Sequence, residues 1–307
     1  TAERQRLAEE FFSAKIKEQN KQKQKENSRQ NFDKNMNSSR SLVDESFPEL
    51  SQWKVYPDFV NPYTDYVHAL FFLLTGNSSS DIGKARESIR RVAGMNDKNE
   101  FVKTDLLVID NVAKGKWKRD NLNPTVWVIF ENGLAPKIEE IVIPLPLVLV
   151  TDKIDYMQLA LPKLKEREQA FPYLEVSTNG GKNQKTELLA SIDRVVQTEF
   201  KKEYSYRITQ ALISTIVKAL IQKELQKKGG VASLMGAIYQ AATTRADTRS
   251  WTTLPKEFQV ARVRKPSDGK LKIVAPGDSQ TLDVVLPEGQ FSIVHVKATT
   301  QKSGLTY

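Results

Sequence analysis

Cysteine is absent from this 307-residue chain, which excludes disulfides, zinc–thiolate sites, iron–sulfur clusters and cysteine nucleophiles. Histidine is nearly absent: His68 and His295 are the only two, and they form no His-x-His or His-x-x-x-His pair. A histidine zinc site would need carboxylates from elsewhere, so each reads as an ordinary structural histidine. No run of 18 apolar residues occurs. The densest stretch, Ile141 to Val150, has ten residues with two prolines, too short to span a bilayer as a helix. There is no Gly-x-Ser-x-Gly elbow, no P-loop and no dinucleotide fingerprint. No catalytic residue, metal ligand or cofactor is assigned, and the chain is expected not to be an enzyme.

What is present is enough apolar residue, 39%, to build a real core, and enough length for two or three packed units. Lys and Arg number 46 against 37 Asp and Glu, a net charge of +9. That balance attracts polyanions in general. The lysines are dispersed among glutamates, which reads as a solvated surface, and no nucleic-acid partner is expected. The chain opens on Thr1 with neither Met nor a signal h-region, the form expected after removal of a leader or trimming of the chain.

Periodicity divides the chain into a polar N-terminal helix or arm (1–44), a helical region (45–122) and an α+β body (123–307). Leu7, Phe11 and Ala14, with Ala8 and Phe12 beside them, have helical spacing. From Lys17 to Arg40 only Phe32 and Met36 are apolar, so this stretch orders only against a partner or the rest of the chain. Asn61-Pro62 predicts a helix start. Tyr66, Ala69, Leu70, Phe72 and Leu73 form one apolar face. Ile82, Ala85, Ile89 and Val92 form a second, its helix capped by Ser80 or Asp81. Together they predict an αα-hairpin that resembles a single tetratricopeptide (TPR) unit.

Val126 to Phe130 and Ile138 to Val150 read as strands separated by a Glu131-Asn132-Gly133 turn, and Tyr173 to Ser177 as a short strand. Thr186 to Lys228 reads as helix, stopped by Gly229-Gly230, with a second helix of small residues from Val231 to Thr243. Four strands close the chain: Phe258–Val263, Leu271–Val274, Leu282–Leu286 and Phe291–Val296. They predict a small antiparallel sheet, or half of a sandwich, beside a long helix pair.

Two side-chain clusters stand out. Glu131, Glu139 and Glu140 flank one turn, but adjacent Glu139 and Glu140 point to opposite faces of a strand, which argues against a carboxylate dyad. Arg245, Asp247, Arg249 and Trp251 fall on one side of an extended chain. The preferred reading is a buried ion network fixing a helix-to-sheet junction; the alternative is an anion or glycan site.

Three segments together resemble a family of uncharacterised bacterial envelope lipoproteins with a TPR-like part. They are the Tyr66–Ala93 hairpin, Phe130-Glu131-Asn132-Gly133-Leu134-Ala135-Pro136, and Asp247-Thr248-Arg249-Ser250-Trp251. The resemblance covers about residues 61 to 296. It implies export to the periplasm, an acylated Cys upstream of Thr1, and association with the outer membrane. The expected function is a scaffold or assembly subunit of an envelope complex, with other envelope proteins as partners. The alternative is a binding module for peptidoglycan or another anionic glycan. Leu7, Phe11, Phe12, Tyr66 and Phe72 are the candidate interaction residues. Docking the N-terminal strip on a neighbour's hairpin would build a ring or filament.

Overall fold

The computed structural model describes residues 18, 21–22, 26, 29–30, 32–57, 60–148, 154–179, 181–227, 245–277 and 281–307. The architecture is α+β, as the periodicity predicts. Two compact units are interleaved along the chain rather than following three consecutive stretches. Unit 1 comprises 1–52, 139–163 and 201–248; unit 2 comprises 53–138, 164–200 and 249–307. The expected Val231–Thr243 helix lies outside the described residues.

Unit 2 contains the predicted hairpin. Helix α2 (Pro62–Thr75) starts where expected, with the Asn61 side chain accepting from Tyr63 N. Helix α3 (Ser79–Met95) is capped by Ser78 rather than Ser80 or Asp81; Asp81 instead accepts from the Ser78 hydroxyl at 2.8 Å. Gly76 caps α2 by donating its N–H to Phe72 O at 3.0 Å, and a Cβ there would sit 2.4 Å from that oxygen. Asp65 meets Arg91, and His68 meets Ser88, so the helices run antiparallel. Helix α4 (Glu100–Ala113), capped by Asn99, follows and packs on α3 through Arg86–Asp110 at 2.7 Å.

These helices cover a sheet of order β10-β1-β7-β6, built from β1 (Thr125–Asn132), β6 (Glu187–Ser191), β7 (Glu257–Arg264) and β10 (Phe291–Ala298). The continuous apolar run of β1 is that of a central strand buried on both faces. It pairs parallel to β10 and antiparallel to β7. Trp127 and Ile129 face the helices, while Val126, Val128 and Phe130 face a second sheet. That sheet is antiparallel, order β5-β4-β8-β9, from β4 (Glu175–Thr178), β5 (Gln184–Lys185), β8 (Lys270–Val274) and β9 (Thr281–Val285). The four C-terminal strands are therefore shared between two sheets. Residues 187–191, expected as helix, pair with β7 across a bulge between Leu188 and Ala190; backbone pairing overrides their helical pattern.

Unit 1 packs a helix of residues 32–45 (α1) and part of α5 (Ile192–Lys227) against a two-stranded ribbon of β2 (Lys137–Val148) and β3 (Ile154–Lys165). Val43, Phe47, Leu145, Leu159, Leu161, Ile208, Leu212 and Ile216 form its buried core, with Phe32 and Met36 at its margin. Phe32 and Met36, the two apolar residues between Lys17 and Arg40, thus pack on this core beside the buried Val43.

The Phe-Glu-Asn-Gly-Leu-Ala-Pro stretch acts as a brace. Asn132, fully buried, donates to Phe171 O at 2.7 Å and Glu257 Oε1 at 2.8 Å, and accepts from Ala170 N and Phe171 N. Gly133 has φ +65°, with Glu168 O only 3.0 Å from where a Cβ would lie. Asn132→Ala strands two buried backbone donors and is expected to cost about 2–4 kcal/mol in urea unfolding. An unchanged midpoint would contradict the bracing role.

Candidate functional site

The most developed polar constellation lies under the helical layer, centred on Asp105 and Arg262, which the sequence reading did not single out. Asp105 sits in the apolar stripe of α4 between Val102 and Val108 and is fully buried. Its carboxylate accepts from the Tyr66 hydroxyl at 2.5 Å and from Trp127 Nε1 at 3.0 Å. Arg262 Nε lies 3.0 Å from Oδ1, an ion pair not aligned as a hydrogen bond. Arg262 Nη2 donates to Thr125 Oγ1 at 3.3 Å, and the guanidinium carbon stands 5.8 Å from the Trp127 ring centroid. Burial raises the Asp105 pKa to about 6; Arg262 and the two hydrogen-bond donors pull against that rise. Burial, and then Asp105, push the Tyr66 hydroxyl well above its usual range.

Above this pair is a cavity of about 570 Å³ whose lining includes Arg262, Lys116, Trp117, Lys118, Asn121 and Asn123. Among the described residues, no carboxylate lines it. Two larger cavities of unit 2 carry both signs of charge: one with Lys265, Asp268 and Glu288, the other with Arg167, Glu168 and Lys302. The polar 114–124 connection is thus the rim of the one cationic cavity among these three. An Arg in the same strand-face row as buried Phe258 and Val260, and an Asp inside an apolar helix stripe, were the signals available in the sequence.

The expected interaction residues are distributed differently. Leu7, Phe11 and Phe12 lie outside the described residues. Tyr66 does not reach the surface, because its ring fills the core and its hydroxyl serves Asp105. Phe72 is half-buried, edge-on to His68 at 4.7 Å with Lys84 Nζ 4.7 Å over its ring; Phe71 beside it is exposed. His295 Nε2 stands 3.7 Å from Glu131, which binds Lys297 more closely at 2.6 Å. Glu140 accepts from Ala246 N at 2.6 Å. Among the described residues, no group of three His, Asp or Glu gathers as a metal site, and no helix is long and apolar enough to cross a membrane.

The Arg245, Asp247, Arg249 and Trp251 cluster is not a buried network. All four are exposed, Trp251 at 72%, in a stretch without regular structure, and Trp251 Nε1 donates to Thr253 Oγ1 at 2.7 Å.

Compared with protein-family models, with curated proteins and with solved structures, the chain has no significant match to any.

Two outcomes follow for stability. Asp105→Ala leaves Arg262, Tyr66 and Trp127 unsatisfied and should cost about 3–5 kcal/mol at pH 7, whereas Asp247→Asn should stay within about 0.5 kcal/mol. The Asp105 pKa is raised on folding, from 3.8 to about 6, so the folded state holds the extra proton. Its contribution to stability is therefore largest below about pH 4, falls by up to about 3 kcal/mol as pH rises to 6, and is flat above. Asp193, also raised to about 6 by burial, titrates in the same window. The difference between wild-type and Asp105→Asn unfolding curves isolates the Asp105 part; a difference that is flat from pH 4 to 6 would contradict the assignment.

Proposed function

We propose that the protein is a non-enzymatic scaffold or assembly subunit of a bacterial cell-envelope complex, acting through protein–protein contacts. In this reading it resides in the periplasm, held at the outer membrane by an upstream lipid anchor. The envelope setting rests on the family resemblance. The contact role rests on one observation within unit 1.

Helix α5 has two apolar faces there. Ile208, Leu212 and Ile216 are buried in the core of unit 1. Tyr206, Ile213 and Val217, at i, i+7 and i+11, form a separate stripe that is 68%, 37% and 42% exposed. A helix that needed only to close its own core would carry polar residues on that face. The stripe fits a second copy of the chain, each burying its stripe on the other. Removing the exposed area of three such side chains on each copy is worth about 6–10 kcal/mol gross. That is comparable to the cost of association, about 4–15 kcal/mol. Self-association is thus weak in dilute solution and strengthened wherever an anchor concentrates the chain. A second reading, binding of peptidoglycan or another anionic glycan, is supported by the cationic cavity over Arg262.

The test is light-scattering mass across a concentration series for wild type and for Ile213→Lys/Val217→Lys. Both positions are solvent-facing, so the melting temperature should hold within about 2–4 °C. The mass of the wild type should rise with concentration while the variant stays monomeric. A wild type that remains monomeric throughout, or a variant that assembles equally well, would contradict the scaffold reading.

A further inference from the structure

We propose that the cavity above the Asp105–Arg262 pair is a binding site for an acidic saccharide, a sugar carrying a carboxylate or a phosphate. The proposal rests on the second reading above and not on assembly through α5.

The argument begins with what Arg262 has left to offer. Its Nε faces Asp105 and its Nη2 donates to Thr125. Nη1 makes no hydrogen bond to another described residue, and the side chain, 22% exposed, lines the cavity. Asp105 offsets the charge of Arg262, so this arginine contributes mainly direction: two N–H groups held in a fixed plane by a buried carboxylate, a neighbouring hydroxyl and an indole face. A guanidinium fixed in this way is suited to a planar or tetrahedral oxyanion.

The net positive charge comes from the rim. Lys116 and Lys118 stand on either side of Trp117, and neither has an ion-pair partner among the described residues. The nearby acid Asp120 is directed to Arg119, at 3.9 Å, and does not line the cavity. The cavity therefore combines a directional anion donor, Arg262, with two exposed cations, Lys116 and Lys118.

The saccharide part follows from Trp117, Asn121 and Asn123, which share the remaining lining with the apolar Leu107, Val108 and Leu122. Trp117 is 43% exposed, and its indole has no ring or hydrogen-bond partner among the described residues. The Asn121 and Asn123 side-chain amides make no hydrogen bond to another described residue, and each can both donate to and accept from a hydroxyl. An aromatic face, amides for hydroxyls and cations for an acid are together the chemistry of an acidic sugar. The volume of about 570 Å³ is in the range of small-molecule sites. A bare inorganic anion would leave the indole and both amides unused.

The test is calorimetric and tryptophan-fluorescence titration of the full chain at low ionic strength with glucuronic acid, glucose 6-phosphate, glucose and inorganic phosphate. At least one of the two acidic sugars should bind, about tenfold or more tighter than glucose and tighter than inorganic phosphate, and binding should weaken with salt. Which of them binds identifies the acid as carboxylate or phosphate. Lys116→Ala/Lys118→Ala, both on the surface, should weaken binding about fivefold to tenfold, and Trp117→Ala about fivefold. Arg262→Lys should weaken it more than tenfold; because that change also disturbs Asp105, the surface variants carry the decision. Ile213→Lys/Val217→Lys should bind as well as wild type, which separates this site from assembly. Equal affinity for glucose and its acidic derivatives, no binding of either acid, or lysine variants that bind unchanged would overturn the proposal.

Discussion

The carboxylate of Asp105 is the point on which unit 2 converges. It receives donors from α2, β1 and β7, elements that lie between 22 and 157 residues away along the chain. A buried charge is expensive unless its oxygens are filled, and this one is filled from three directions. Over a well-packed apolar filling, the net gain from such a pair is small. What it fixes is register. Slipping β7 by one residue against β1 would turn Arg262 to the opposite face, toward the second sheet, and leave the acid without its cation. The same constraint aims Arg262 into the cavity above it, so the interaction that locks the helical layer on its sheet also orients the one guanidinium that lines that cavity.

Local periodicity made much of the fold legible. Tyr66, Ala69, Leu70 and Leu73 repeat at helical spacing and are buried, and the Asn61-Pro62 start is where the sequence puts it. The apolar run Val126 to Phe130 reads as a strand and is one, with its central place in the sheet set by the fold. Pairing between distant segments was not legible. Nothing near Val126 or Phe291 announces that the two strands run parallel, and nothing near Leu188 announces that backbone pairing with β7 will override its helical surroundings. The Arg245–Trp251 cluster misled for a related reason. Alternation describes which side chains share a side, not whether anything lies against them. Asp105 in an apolar helix stripe and Arg262 in a strand-face row were signals, but neither names its partner; only the fold brings the pair together.

The two units, each taken by itself, treat apolar surface differently. In unit 2 the sheet around β1 has helices on one face and a second sheet on the other, and its buried polar groups are braced by Asn132 and Asp105. In unit 1 the ribbon and α1 bury one face of α5, and Tyr206, Ile213 and Val217 remain exposed on another. Division of labour follows in the proposed function. Unit 1 supplies the contact that builds an assembly, and unit 2 supplies a rigid body with a cationic cavity.

The central claim is that Asp105 and Arg262 act as one cooperative element, and a double-mutant cycle measures that directly. Unfolding free energies of wild type, Asp105→Ala, Arg262→Ala and the double variant at pH 7 yield the coupling. The account predicts a coupling of about 2–3 kcal/mol, with the double variant more stable than the sum of the single losses allows. Additive losses would mean that the two side chains act independently, and would contradict both the locking of the helical layer and the fixed orientation of Arg262.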